Sequence, residues 1–156
     1  MHTQLSTDRL WAALLVWSIV NAVNVLQAIG FLSRVWTGSR AINHLLGHIM
    51  IALAVPAGVA LVALLHSGAS CLHWVGPAVY LAFIVVFLDV DCVGPLEFRS
   101  LVRLDILVRY LVLFSGTILL MGLPMFRINW HLWFVTVVTT ALLLGSMVVA
   151  MRRGGA

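Results

Sequence analysis

The sequence predicts an all-α, polytopic integral membrane protein. The expected form is one domain over residues 1–156, a bundle of five transmembrane helices with the N-terminus outside and the C-terminus cytoplasmic. Three observations predict it. The chain is 63% apolar and only 9% charged, whereas a soluble domain carries about 25% charged residues to cover its core. Lipid removes that requirement, because lipid-facing side chains can be apolar. The apolar residues gather into five runs, at about 10–32, 41–65, 72–93, 104–126 and 129–151. Each is near the roughly 20 residues that ~30 Å of hydrocarbon requires. Finally, the arginines sit between the runs or at their ends, with Arg109 alone a turn or so inside the fourth, and no lysine is present.

The first run, Leu10 to Leu32, exceeds the ~7–15 residues of a signal-peptide core. It also holds Asn21, Asn24 and Gln27, so a retained helix is expected. Thr37-Gly38-Ser39 separates the first two runs and His66-Ser67-Gly68 the next pair. Gly94-Pro95 ends the third run, and Pro95 suits the first turn of a following helix. Residues Pro95 to Arg103 then read as an amphipathic lead-in to the fourth span. No repeat or low-complexity stretch interrupts the pattern.

Arginine placement sets the expected orientation. With five spans, Arg34, Arg40, Arg99, Arg103, Arg109, Arg152 and Arg153 fall on one side, and Arg9 and Arg127 on the other. The positive-inside rule makes the first group cytoplasmic, as in a bacterial-type cytoplasmic membrane. Trp11, Trp74, Trp130 and Trp133 then fall near the outer interface, where such rings favour headgroup depth. The net charge of +4 is thereby explained by topology. Nucleic acid is not an expected partner, since no basic helix or stacking platform accompanies the charge. The cysteines, Cys71 and Cys92, lie on the order of 30 Å apart along one helix, too far to bridge each other.

The polar residues inside or beside the spans are the candidates for function, because they are costly there. The first span carries Ser18, Asn21, Asn24 and Gln27 at three-residue spacing, a stripe that drifts slowly along one side. Helix-to-helix hydrogen bonding is the plain alternative for such carboxamides. The second span opens with Asn43, His44, Gly47 and His48, and the two histidines share a face at i, i+4. Such a pair can ligate a metal, but no H-E-x-x-H pattern accompanies it and no metal is assigned. The third span ends in Asp89-Val90-Asp91. The fourth is preceded by Glu97, Arg99 and Arg103 and opens with Asp105 and Arg109, an i, i+4 ion pair in the favourable order.

These four groups share one expected depth, at the cytoplasmic half. The expectation is a polar cavity there that receives a lipophilic molecule such as a lipid, an isoprenoid or a sterol-like compound. Asp89, Asp91, His44 and His48 are its acid–base candidates, for isomerisation, cyclisation or hydration, the work of an isomerase, cyclase, lyase or transferase. Asn21, Asn24, Gln27, Asn43, Glu97, Arg99, Arg103, Asp105 and Arg109 are its substrate-binding candidates, the arginines for an anionic head. No cofactor is required by the sequence. A second reading is a small proton-coupled transporter or channel, although no ionisable path continues through the outer half. A homo-oligomer is one way to supply that missing half. A third is a structural or redox subunit of a membrane complex, where His73 and His131 could pair at the outer side.

Over about ten residues, Ser33-Arg34 through Ser39-Arg40-Ala41-Ile42-Asn43 resembles the Arg-x-x-Arg-Ala-x-x-Asn region of small membrane glutathione-dependent enzymes. The spacing differs and the acid that usually follows the Asn is missing, so no function is carried across.

Overall fold

The computed structural model describes residues 7–37, 41–92 and 104–154. Among them the chain is helical and contains no strand: α1 (Thr7–Thr37), α2 (Ala41–Ala52), α3 (Ala54–His66), α4 (Cys71–Cys92), α5 (Leu104–Ile128) and α6 (Trp130–Gly154). Five stretches are long and apolar enough to cross a membrane: Arg9–Thr37, His44–His66, Cys71–Leu88, Leu111–Ile128 and Trp130–Arg153. They match the expected runs in place and order. The lead-in expected from Pro95 to Arg103 lies outside the described residues.

The second span is expected as one helix and is found as two. It breaks at Leu53, between α2 and α3. The cause is Pro56, whose ring lacks an N–H for the Ala52 carbonyl and crowds the preceding turn. The chain stays close to helical through the break, with the Leu53 N–H on the Ile49 carbonyl at 3.0 Å and the Ala57 N–H on Leu53 at 3.2 Å. Its hydroxyl buried, Tyr80 of α4 donates to the Met50 carbonyl at 2.7 Å, pinning the broken span to its neighbour.

The turns follow local chemistry. After α3, the Gly68 N–H bonds the Leu65 carbonyl and the Ala69 N–H bonds Leu64. This is the Schellman pattern, and it needs a left-handed residue just past the helix. Gly68 supplies it with φ of 63°. Arg9, at the start of α1, donates through Nε to the Ser67 carbonyl at 2.9 Å and through a second nitrogen to the same oxygen. A cation is thus placed at a helix C-terminus, where the dipole favours it. Between α5 and α6 a single residue, Asn129, turns the chain. Its side chain accepts the His131 N–H at 3.0 Å, the bond of an N-cap.

Contacts fix the lateral order that sequence leaves open. α1 packs against α2, α3, α5 and α6, while α4 packs against α3 and α5, and α5 against α6. The spans therefore form a ring in chain order, with α1 also reaching across to α5. Along α4 and α5, Gly76 meets Leu120 while Val79 meets Gly116, so these helices run antiparallel. α1 and α6 instead run parallel: Trp17 bonds Leu132, Asn21 bonds Thr136, and Asn24 bonds Thr139 and Thr140.

The core draws on Val16, Ile19, Val20 and Val23 of α1, Leu64 of α3, Tyr80 and Phe83 of α4, and Met121 of α5. The exterior is just as apolar. Leu45, Val55, Val59, Val62, Val85, Val112, Leu119, Phe134, Leu142 and Leu144 are all exposed. A soluble protein rarely shows so continuous an apolar surface, whereas a helix bundle facing lipid requires one.

α4 and α5 approach closely at Gly76. A Cβ placed there would lie 2.8 Å from the Leu120 carbonyl oxygen. That carbonyl is the one Pro124 leaves without its helical N–H partner, so glycine lets the facing backbone close over it. Gly76→Ala is expected to destabilise the bundle by about 1–3 kcal/mol, as overpacking does. Around Gly58 the space is open, with nothing within 4 Å of where a methyl would sit, so Gly58→Ala should be neutral or mildly stabilising. Thermal unfolding of both variants in detergent checks this; equal effects would contradict the close approach.

Candidate functional site

The polar residues of α1 do not form one surface. A spacing of three residues falls about 60° short of a full turn of a 3.6-residue helix at each step. Across Ser18, Asn21, Asn24 and Gln27 the direction therefore winds to the opposite side. Ser18 is exposed and donates to the carbonyl of Leu14 on its own helix at 2.9 Å. Asn21 and Asn24 face α6. Gln27 faces α2, where its Nε2 lies 2.9 Å from the Met50 sulfur. The slow drift expected from sequence is thus fast enough to divide the residues among different surroundings.

The α1–α6 contact is a carboxamide–hydroxyl clamp. Asn21 donates to the Trp17 carbonyl at 2.8 Å and to Thr136 Oγ1 at 3.2 Å, and accepts from Thr139 Oγ1 at 2.7 Å. Asn24, fully buried, donates to Thr139 Oγ1 at 3.1 Å and Thr140 Oγ1 at 3.0 Å. Thr140 donates its own proton to the Thr136 carbonyl at 2.7 Å. Because both hydroxyl protons are engaged elsewhere, the Asn24 amide has to present nitrogen to them. Its Oδ1 is left buried and accepts no hydrogen bond among the described residues. At the same interface Trp17 Nε1 donates to the Leu132 carbonyl at 2.9 Å. Thr136, Thr139 and Thr140 are spaced i, i+3, i+4, and that spacing is the sequence signal that they share a helix face.

On its other side α6 forms a groove with α5. It measures about 320 Å³ and is lined by Ile118, Leu119, Gly122 and Leu123 of α5 and by Trp133, Thr136, Val137, Thr140, Ala141 and Leu144 of α6. Two threonines border it, yet its surface is almost wholly apolar. The clamp explains this, since the Thr136 and Thr140 hydroxyls are bonded to α1. The Thr136 methyl faces Gly122, where a Cβ would come within 3.0 Å of it. At one end Trp133 meets Phe126 edge-on, with ring centroids 5.2 Å apart.

The expected acid–base residues stand as follows. His44 and His48 are both exposed, and His48 Nδ1 is 2.6 Å from the His44 carbonyl. On the same helix Gly47 is buried against Phe87 and Met50 is in the core, so the histidines look away from that packed face. The structure does not bring them to Asn21, Asn24 or Gln27. Arg109 is exposed in the first turns of α5. Glu97, Arg99 and Arg103 lie outside the described residues, as do the side chains of Asn43, Asp89, Asp91 and Asp105. Among the described residues no three His, Cys, Asp or Glu side chains gather as a metal site. At the opposite end of the bundle His73 Nδ1 is 2.9 Å from Ser70 Oγ, with Arg9 and Arg127 nearby.

Compared with protein families, curated proteins and solved structures, the chain matches none. The fold and groove define a class, a helical bundle with five candidate membrane spans, and the functional reading rests on its own geometry.

The clamp makes a direct prediction. In a double-mutant cycle, Asn21→Ala and Thr139→Val should couple by about 0.6 kcal/mol and by no more than about 1.7, the range for hydrogen bonds between membrane helices. Asn21→Ala paired with Ser18→Ala should show no coupling. Equilibrium unfolding in bicelles measures both, and additivity of the first pair would rule out the clamp.

Proposed function

We propose that the protein is a multi-pass membrane protein that receives a lipophilic molecule sideways from the bilayer. The observation that carries this reading is the apolar groove between α5 and α6. Its volume stands at the small end of the roughly 300–1,000 Å³ typical of ligand pockets, and suits a single chain. Chemistry on such a molecule finds little support in Asp89 and Asp91, which lie at the end of α4 away from the level of the groove, whereas Gly76 and Val79 stand level with it. His44 and His48 support it less, because they face away from the packed side of α2. Binding is therefore the function put forward first. A polar path for ions or protons gains no support here, because the clamp holds the mid-span hydroxyls against α1.

The protein purified in mild detergent should carry bound lipid by native mass spectrometry. Ala141→Trp, which fills the groove from an exposed position, should lower that occupancy severalfold without altering helix content by circular dichroism. Wild-type protein that retains no lipid would contradict the reading.

We further propose the orientation that the arginines favour, with Arg9 and Arg127 outside. Cys71 is exposed near that end. In a Cys92→Ser background, a membrane-impermeant maleimide should label Cys71 on intact cells. Labelling that requires lysis would reverse the topology.

A further inference from the structure

Three basic side chains converge at the end of the bundle where α3 turns into α4 and α5 into α6. Each stands on a row of its helix that faces another helix. Arg9 lies one turn before Ala12 and Ala13, both buried, so it tops the packed face of α1. His73 is half-buried and lies two turns before the fully buried Tyr80 on α4. Across the α4–α5 contact Gly76 meets Leu120 and Val79 meets Gly116. By that register His73 stands level with Leu123 and Pro124. Arg127 follows Gly116 by about three turns, on the row that faces α4. A helical side chain leans back toward its own N-terminus, which brings Arg127 to the level of His73. Arg9 and Arg127 both lie near His73, in agreement with this placement.

The cluster has open donors and, among the described side chains, no carboxylate bonded to them. Arg9 uses Nε and one terminal nitrogen on the Ser67 carbonyl, which leaves its other terminal nitrogen. Arg127 is exposed and donates no hydrogen bond to a described residue. His73 Nδ1 is 2.9 Å from Ser70 Oγ, which leaves Nε2. Four of the five acids in the sequence fall between residues 89 and 105, at or beyond the far end of α4, and the two arginines outnumber the fifth, Asp8. We infer that this end of the bundle binds a phosphate group, held between the guanidiniums of Arg9 and Arg127 with His73 Nε2 as a third donor. The planar fork of arginine bonds two phosphate oxygens at once. Ser70, donating to Nδ1, puts the ring proton on Nε2. Donors from three helices match a tetrahedral phosphate with three acceptor oxygens better than a flat carboxylate with two. The phosphate is that of a phosphomonoester lipid head or a soluble ion, since both offer the same oxygens. The site is separate from the α5–α6 groove, whose lining contains none of the three residues.

The test uses the full-length protein in two arms. In one, nanodiscs of phosphatidylcholine mixed with phosphatidic acid are opened and the retained lipids counted by native mass spectrometry. In the other, inorganic phosphate is titrated into detergent-solubilised protein by calorimetry. Wild type should retain phosphatidic acid over phosphatidylcholine, which assigns the phosphate to a lipid head, or bind inorganic phosphate saturably, which assigns it to a soluble ion. In either arm Arg127→Gln should weaken binding by roughly tenfold, the factor expected for one charge-assisted hydrogen bond. Arg127 is the informative position because, unlike Arg9, it holds no turn of the fold. Arg152→Gln, at the other end of the bundle, and Ala141→Trp, in the groove, should both keep wild-type binding. No binding in either arm, or unchanged binding by Arg127→Gln, overturns the inference. Phosphatidic acid that is lost in Ala141→Trp but kept in Arg127→Gln belongs to the groove, which supports the groove reading and overturns this one.

Discussion

A carboxamide in an apolar span has no water to bond, so its donors and acceptor must find partners on another helix or remain unsatisfied at a cost. Asn21 and Asn24 meet that constraint with three threonines of α6. Much of the architecture follows from this. The clamp joins the first span to the last in parallel, which closes the chain-order ring and leaves α1 in contact with most other helices. It fixes which face of α6 is inward, and therefore which face meets α5. It also removes two hydroxyls from the α5–α6 surface, so that a groove bordered by Thr136 and Thr140 is apolar. The satisfaction is incomplete at Asn24 Oδ1. An unpaired buried acceptor costs about 1–3 kcal/mol, so the contact specifies an arrangement more than it adds stability.

The fold is legible in the sequence because its signal is large and local. A span needs about 20 apolar residues, and five such runs stand out between polar breaks. The Ser67-Gly68 turn is legible for the same reason, since a glycine past a helix end has few other uses. The break at Leu53 is harder to read although its cause, Pro56, is in plain sight. An apolar run reads as one span whether or not a proline divides it. The one-residue corner at Asn129 likewise follows from a cap whose partner, the His131 N–H, becomes visible only once the chain turns.

The site is less legible, for a geometric reason. Depth along a span can be read from sequence, but direction around the helix axis relative to a neighbour requires knowing the neighbour. Asn21 and Gln27 are two steps apart at the same spacing, yet one meets α6 and the other α2. The histidine pair shows the same limit. His44 and His48 do share a face, as the spacing requires, but that face is turned outward. The threonines of α6 carry a usable signal at i, i+3, i+4, which is easily missed when they are weighed as isolated hydroxyls. The groove has no signal of its own, because its residues are the ordinary apolar residues of two spans.

The proposed uptake of a molecule from the lipid phase rests on a bundle held by buried polar contacts, with an apolar groove between α5 and α6. That view depends on the threonine hydroxyls pointing to α1. Solid-state NMR of the protein in bilayers tests this, with ¹⁵N on the Asn24 side-chain amide and ¹³C on Thr140. Dipolar recoupling should show the two in direct contact, as the 3.0 Å separation of Asn24 Nδ2 and Thr140 Oγ1 requires. No coupling between them, with α1 and α6 still helical, would mean the hydroxyls are free to face the groove, and its apolar character would not come from the clamp.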